Sequence, residues 1–240
     1  MIVGVLKEPQ FESRVSLLPE SVIPLIKKGV QVWVESGSGL NAYCSDDDYV
    51  KEGAQIKSKE EISKQSDLLL FIHPETIPTA LQNKIVIGVY QPLYNAELMN
   101  KWAERGITSF SLDMLPRTTR AQSMDVLSSQ ANIAGYKAVL LAANLFPRYF
   151  PMFITAAGSI PPAKILVLGA GVAGLQAIAT AKRLGAVVEV FDTRPAVKEE
   201  VHSLGGKFIE VEGAADASTA GGYAVEQTAE FQQSIRRTFS

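Results

Sequence analysis

Between Ala163 and Asp192 the chain reads AKILVLGAGVAGLQAIATAKRLGAVVEVFD, an order of residue types that few folds admit. An apolar run of strand length, Ile165 to Leu168, meets a glycine triplet at Gly169, Gly171 and Gly174. Several turns of small and aliphatic residues follow, and a second apolar run, Ala186 to Phe191, ends on the acid Asp192. The order is strand, tight turn, helix, strand. Gly169 permits a sharp exit from the strand, and Gly171 leaves no Cβ between the backbone and an incoming group. Gly174 lets the helix pack close to the strand, and the free N–H groups and positive dipole end of that helix suit a pyrophosphate. Asp192, eighteen residues after Gly174, can accept hydrogen bonds from a ribose diol and would repel a 2′-phosphate. The stretch therefore reads as the first half of a dinucleotide-binding unit, for NAD rather than NADP. A Gly-rich turn that merely packs a helix would leave the position of the acid unexplained. Arg194, just past the acid, is the residue that could instead meet a phosphate.

A chain of 240 residues has room for two α/β domains or one large one, and with 47% apolar residues it can build a substantial core. The formal net charge of −2 gives no reason to expect nucleic acid binding. A single cysteine, Cys44, excludes an internal disulfide and fits a reducing compartment. The opening MIVGVLKEP lacks the basic region and long apolar core of a signal peptide. The apolar stretch from Ala138 to Ala181 is broken by Arg148, Pro161–Pro162 and Lys164, short of the ~20 apolar residues a membrane span needs. The expectation is a soluble chain.

Ahead of the glycine stretch, strands and helices alternate. Ile2 to Leu6, Gln31 to Glu35, Asp67 to Ile72, Ile85 to Tyr90 and Ile107 to Leu112 are strand-length runs. Helices are expected at Pro19 to Lys28, closed by Gly29, at Asp46 to Gly53, and at Glu97 to Arg105, stopped by Gly106. One long helix is expected from Met124 to Phe146, its small residues Ala131, Ala134, Gly135 and Ala138 suited to tight packing between two domains. The expected fold is α/β: two Rossmann-like parallel-sheet domains, 1–128 and 129–240, flanking a nucleotide cleft. The second is expected to be incomplete, because a doubly wound fold needs six strands and after Asp192 only Lys207 to Val211 qualifies. Either a partner completes that sheet or the chain is the front portion of a longer protein. Gly213 to Gly222, rich in Gly, Ala, Ser and Thr, is expected to form a mobile surface loop.

Other signals are bland. His73 and His202 with one cysteine offer no zinc-site spacing, and Asp46-Asp47-Asp48 is better read as helix capping than as a cation site. No metal is expected. Arg236-Arg237 is too short to be a basic patch.

Three segments resemble one family. They are Val3-Gly-Val-Leu-Lys-Glu with Glu12-Ser-Arg-Val, the run Arg120-Ala-Gln-Ser-Met-Asp-Val-Leu-Ser-Ser-Gln, and Gly169-Ala-Gly-Val-Ala-Gly with the helix behind it. They resemble the NAD(H)-binding component, domain I of the α subunit, of proton-translocating NAD(P) transhydrogenases. The family extends to alanine dehydrogenases. The resemblance implies hydride passing from NADH held here to NADP⁺ on a separate domain, coupled to proton movement by a membrane domain. It places the nicotinamide side on Arg117, Gln122, Asp125 and Ser128, with the glutamine reaching toward the partner nucleotide. It places the pyrophosphate at Val172 in the glycine turn and the adenosine side on Asp192, Thr193 and Arg194. Gly222 and Tyr223 correspond to a mobile loop that folds over the nucleotide. The implied partners are the NADP-binding and membrane domains (the β subunit), with a homodimer. The implied location is cytoplasmic, at the inner membrane through those partners alone.

The residues agree with that chemistry. Hydride transfer between two nicotinamides moves no proton to or from a substrate, so it needs two rings held in near-contact rather than an acid or base. Amide, guanidinium, carboxylate and hydroxyl groups at Gln122, Arg117, Asp125 and Ser128 can hydrogen-bond a carboxamide. On composition alone, capping of the following helix by Asp125 or Ser123 accounts for that loop equally well. An alanine dehydrogenase shares Lys7-Glu8 and Arg14, but it needs a lysine and a histidine in its cleft. Where that family has its lysine, the chain reads Leu70-Phe-Ile-His-Pro-Glu, and where it has its histidine, Tyr90-Gln-Pro-Leu. His73 is the one substitute, and a lone histidine at a strand end is more often a hydrogen-bonded structural residue. A third possibility is a nucleotide-binding fragment without activity.

Overall fold

Six short strands in the first 125 residues lie side by side in one sheet, and every neighbouring pair is parallel. The computed structural model describes residues 1–78, 81–116, 118–211 and 233, in two compact units, Met1–Asp125 and Val126–Ser240. In chain order the first unit contains β1 (Ile2–Val5), α1 (Val22–Ile26), β2 (Gln31–Glu35), α2 (Asp46–Lys51), β3 (Gln55–Lys57), α3 (Lys59–Gln65), β4 (Leu68–Leu70), β5 (Ile85–Gly88), α4 (Ala96–Glu104) and β6 (Thr108–Ser111). The sheet order is β3-β2-β1-β4-β5-β6. The chain therefore runs outward from β1 to one edge, returns, and builds the other half beyond β4. In such sheets a crevice opens past the carboxyl ends of the two strands where the direction reverses, here β1 and β4.

Alternation along the strands explains why both faces are covered. Val32 and Val34 of β2 enter one core with Val5, Val22 and Tyr49, while Trp33 between them enters the other with Leu6, Ile62 and Leu69. The second core holds three aromatic rings, Phe71, Tyr90 and Trp102, with centroids 5.0 to 6.3 Å apart. Fully burying a side chain of that size contributes about 1.5–3 kcal/mol, so this cluster anchors the unit.

Helices α2 and α3 both begin with capping boxes. In each, a serine hydroxyl (Ser45, Ser58) accepts the N–H three residues on, and the carboxylate there (Asp48, Glu61) accepts the serine N–H in return. The Asp46-Asp47-Asp48 run is thereby accounted for without an ion, since Asp46 accepts from Ser36 Oγ and Gly37 N. Among the described residues no His, Cys, Asp or Glu group could hold a metal. The helix expected over Pro19 to Lys28 opens instead as a 3-10 turn, Pro19–Ser21, and is α-helical only over Val22–Ile26. Leu18 supplies no capping side chain, and Pro24 removes a donor inside the helix. Strand β3 and helix α3 lie outside the sequence expectations; β3 is a polar edge strand, but Ser58 and Glu61 are a legible start signal.

The second unit contains α5 (Val126–Leu145), an antiparallel hairpin of β7 (Phe153–Thr155) and β8 (Gly158–Ile160), then β9 (Lys164–Leu168), α6 (Val172–Arg183), β10 (Val187–Phe191), α7 (Lys198–Ser203) and β11 (Lys207–Phe208). Its described sheet is parallel and ordered β11-β10-β9. Ile178 and Ala181 of α6 pack on Val188 and Val190 of β10 and Val201 of α7. Residues Gln122–Met124, the last of which is expected to start the long helix, form a 3-10 turn. The small residues of α5 do not need a second domain to explain them. A Cβ on Gly135 would collide with the carbonyl oxygen of Ala173, so α5 and α6 approach backbone to backbone within this unit. The hairpin departs from the strictly parallel alternation expected, because Thr155-Ala-Ala-Gly158 carries none of the usual turn dipeptides. No helix among the described residues is long and apolar enough to cross a membrane. The loop expected over Gly213 to Gly222 lies outside the described residues.

Candidate nucleotide site

Strand β9 leaves the sheet through Gly169, whose φ of +96° lies in the left-handed region that a Cβ disfavours. Its N–H still donates to the Phe191 carbonyl at the end of β10, so the turn starts from a fixed point. Gly171 is the N-cap of α6 and offers no capping side chain to the first-turn N–H groups. The space its Cβ would enter is open, with nothing within 4 Å. A Cβ on Gly174, by contrast, would strike the Gly169 carbonyl oxygen, which is what close seating of helix on turn requires. Val172 opens the helix and is partly exposed. The result is a twelve-residue helix whose N-terminal donors face a cradle without side chains.

Asp192 stands at the far side of this cradle, at the end of β10, and is buried. Its Oδ2 accepts from the Ala170 N–H at 2.7 Å and from an Arg194 terminal nitrogen at 2.8 Å. Its Oδ1 accepts from the Arg194 backbone N–H at 2.8 Å and from Arg194 Nε at 2.9 Å. Burial alone would raise its pKa, but the Arg194 guanidinium and the two backbone donors outweigh that and hold the carboxyl below its ordinary value. Thr193 lies between them, half-buried. Gly169, Gly171, Val172, Gly174, Asp192, Thr193 and Arg194 are therefore brought together in one unit.

The other expected site residues are not gathered in the same way. Gln122 lies exposed in the 3-10 turn and Asp125 directly follows that turn, both in the first unit. Ser128 lies in the first turn of α5, in the second unit. Arg117, Gly222 and Tyr223 lie outside the described residues.

A second polar cluster occupies the crevice past β1 and β4. Glu8, buried, accepts from the Ile72 N–H at 2.6 Å and the His73 N–H at 3.1 Å. Glu12 accepts from the Arg14 backbone N–H, Nε and a terminal nitrogen at 2.9, 2.8 and 2.6 Å. His73 Nε2 lies 2.8 Å from the same carboxylate, and its ring meets Phe11 edge-on. The Arg14 hydrogen bonds, opposed by burial and aided by His73, hold Glu12 down at about 2. His73 thus has the structural role expected of a lone strand-end histidine. Sequence reasoning misses both the Glu12 hub and the Ala170–Asp192 bond. The first has a signal in the spacing of Glu12 and Arg14, whereas the second uses a backbone N–H that no side-chain pattern betrays.

Sequence models of one family match almost the whole chain. The alanine dehydrogenase/PNT N-terminal domain matches residues 4–134, and the alanine dehydrogenase/PNT C-terminal domain matches residues 138–238. The chain belongs to the alanine dehydrogenase/PNT family. Within the family it is 44% identical over 239 residues to the first of the separately encoded portions of the NAD(P) transhydrogenase subunit alpha of Rickettsia prowazekii, covering 96% of this chain and 62% of that one. Its fold matches the crystal structure of a transhydrogenase from Sinorhizobium meliloti with a TM-score of 0.84 at 48% identity, over 89% of this chain and 62% of that one. A solved L-alanine dehydrogenase matches at a TM-score of 0.75 and 25% identity, over 87% and 60%. The chain spans about three-fifths of the length of these family members. The expected α/β class with Rossmann-like parallel sheets is what the family and the two sheets share.

Proposed function

We propose that the chain is the NAD(H)-holding component of a transhydrogenase, passing hydride from NADH to NADP⁺ on a partner domain. The observation that carries the proposal is the glycine cradle: open space over Gly171, uncapped N–H groups at the start of α6, and a buried acid at the end of the next strand. That donor and acceptor set fits a dinucleotide, with pyrophosphate on the α6 N-terminus, Val172 beside it, and the adenosine ribose toward Asp192, Thr193 and Arg194. The 44% identity to a transhydrogenase subunit supports the same assignment over the 26% identity to an alanine dehydrogenase.

In this proposal NADH supplies the hydride, and the chain's own residues bind and orient. Arg117, Gln122, Asp125 and Ser128 hold the carboxamide end so that the reactive face is presented to the partner, and no side chain exchanges a proton with a substrate. Gly222 and Tyr223 belong to the segment that closes over the nucleotide. The partners are the NADP-binding and membrane domains of the β subunit together with a second copy of this chain, and coupling to proton movement resides in the membrane partner. The crevice past β1 and β4 does not favour an amino-acid dehydrogenase, because Arg14, the guanidinium a substrate carboxylate would seek, is engaged by Glu12.

The test is titration of the chain with NADH, followed by assay of hydride transfer to an NADP⁺ analogue with an NADP-binding partner added. Asp192→Ala is expected to weaken NADH by roughly 1–3 kcal/mol, the range for losing a charged acceptor. No NADH binding at millimolar concentration, or NADH formation driven by alanine, would overturn the proposal.

A further inference from the structure

Asp192 has its acceptor capacity filled from within. An ionised carboxylate offers about four lone-pair sites. Four donors occupy them: the backbone N–H groups of Ala170 and Arg194, and Arg194 Nε and a terminal nitrogen, all at 2.7 to 2.9 Å. The two side chains are sheltered, 4% exposed for Asp192 and 17% for Arg194, so this is not a solvated surface pair that forms and breaks at no cost. A ribose diol can reach the carboxylate only by taking places that the guanidinium holds. The two backbone donors need not move, since they keep the carboxylate fixed while the arginine side chain turns away.

We propose that Arg194 sets the choice between a ribose 2′-hydroxyl and a 2′-phosphate, by occupying Asp192 as an internal guest that the diol must displace. Held by the carboxylate, the guanidinium is neutralised and is not offered to a phosphate; the same carboxylate repels one. A diol, which donates, replaces the guanidinium without a clash of charge. The discrimination against NADP(H) therefore lies in the pair and not in the acid alone. This inference rests on the nucleotide-binding proposal above.

The experiment is a titration of the full chain with NADH and NADPH, followed by nucleotide fluorescence, for wild type, Asp192→Asn, Arg194→Gln and the double variant. The first of these substitutions keeps the shape of the side chain but removes the counter-charge that Asp192 presents to Arg194. D192N is expected to lose about tenfold or more in NADH affinity and to gain in NADPH affinity, inverting the preference. The double variant is expected to lose the NADPH gain, because the released guanidinium supplies it. R194Q, with the internal competitor removed, is expected to bind NADH at least as tightly as wild type and NADPH no better. Wild type that binds NADH while D192N leaves the NADH-to-NADPH ratio unchanged overturns this inference alone. So does a double variant that keeps the NADPH gain. Should D192N not fold, R194Q decides: a loss of about tenfold in NADH affinity would make Arg194 a binder of the nucleotide and not its competitor. Wild type that binds neither nucleotide overturns this inference and the nucleotide-binding proposal together.

Discussion

Replacing Glu12 with Gln removes one charge from the hub that joins Arg14 to His73 and leaves its volume and one acceptor in place. In the folded chain this carboxyl is held at about 2 against an ordinary 4.5, with the Arg14 hydrogen bonds as the main cause. A depressed carboxyl stabilises the fold above its unfolded pKa, and the contribution is lost as pH falls toward the folded value. Lowering a carboxyl from 4.5 to about 2 corresponds to about 3.4 kcal/mol at most. Arg14 keeps 44% of its side chain in water, so solvent screening reduces the expected contribution to about 1.5–3 kcal/mol. Both tryptophans, Trp33 and Trp102, lie in the first unit, so tryptophan fluorescence during urea unfolding reads that unit specifically. At pH 7, E12Q is expected to be less stable by that amount. Between pH 4.5 and about 2 the wild-type advantage should shrink toward nothing, while the other carboxylates titrate alike in both proteins. A difference below ~0.5 kcal/mol at pH 7, or one that does not change with pH, would refute the assignment of Glu12 as a buried ionised partner.

Gly135→Ala should lower the thermal stability of the second unit by about 1–3 kcal/mol, since the added methyl group meets the Ala173 carbonyl and overpacking outweighs the gain in helix propensity. Circular dichroism melting checks this, and an unchanged or raised melting temperature would mean that α5 and α6 do not approach as described. Gln122→Asn, assayed with an NADP-holding partner, should cost hydride transfer far more than NADH affinity if the glutamine positions a ring. Equal losses in both would contradict that role.

The glycine turn and the acid that follows are legible in the sequence because their chemistry is written in residue types. Only glycine accepts a φ of +96° at 169 without strain, and only a missing Cβ at 174 admits the helix. The parallel sheets are legible for the same reason, since strands buried on both faces must be apolar runs such as Leu68 to Leu70. What escapes a reading of the sequence has no side-chain pattern. Strand β3 is Gln-Ile-Lys at a sheet edge, where position and not composition makes it a strand. The hairpin of β7 and β8 turns on two alanines. The filling of Asp192 by Arg194 is half-visible, in that an arginine two residues past the acid is plain while its partner is not. That spacing suits a phosphate as well as the acid, and only geometry decides.

Strand β9 delivers the chain into the glycine cradle, yet among the described residues it is flanked by β10 alone, with Leu166 and Leu168 substantially exposed. Anyone transplanting this cradle into another scaffold would therefore have to supply a neighbour for the bare flank of that strand. A graft that carries only the turn, the helix and the acid would expose a row of backbone donors and acceptors to whatever extended peptide came near, and would tend to clump before it could hold a coenzyme.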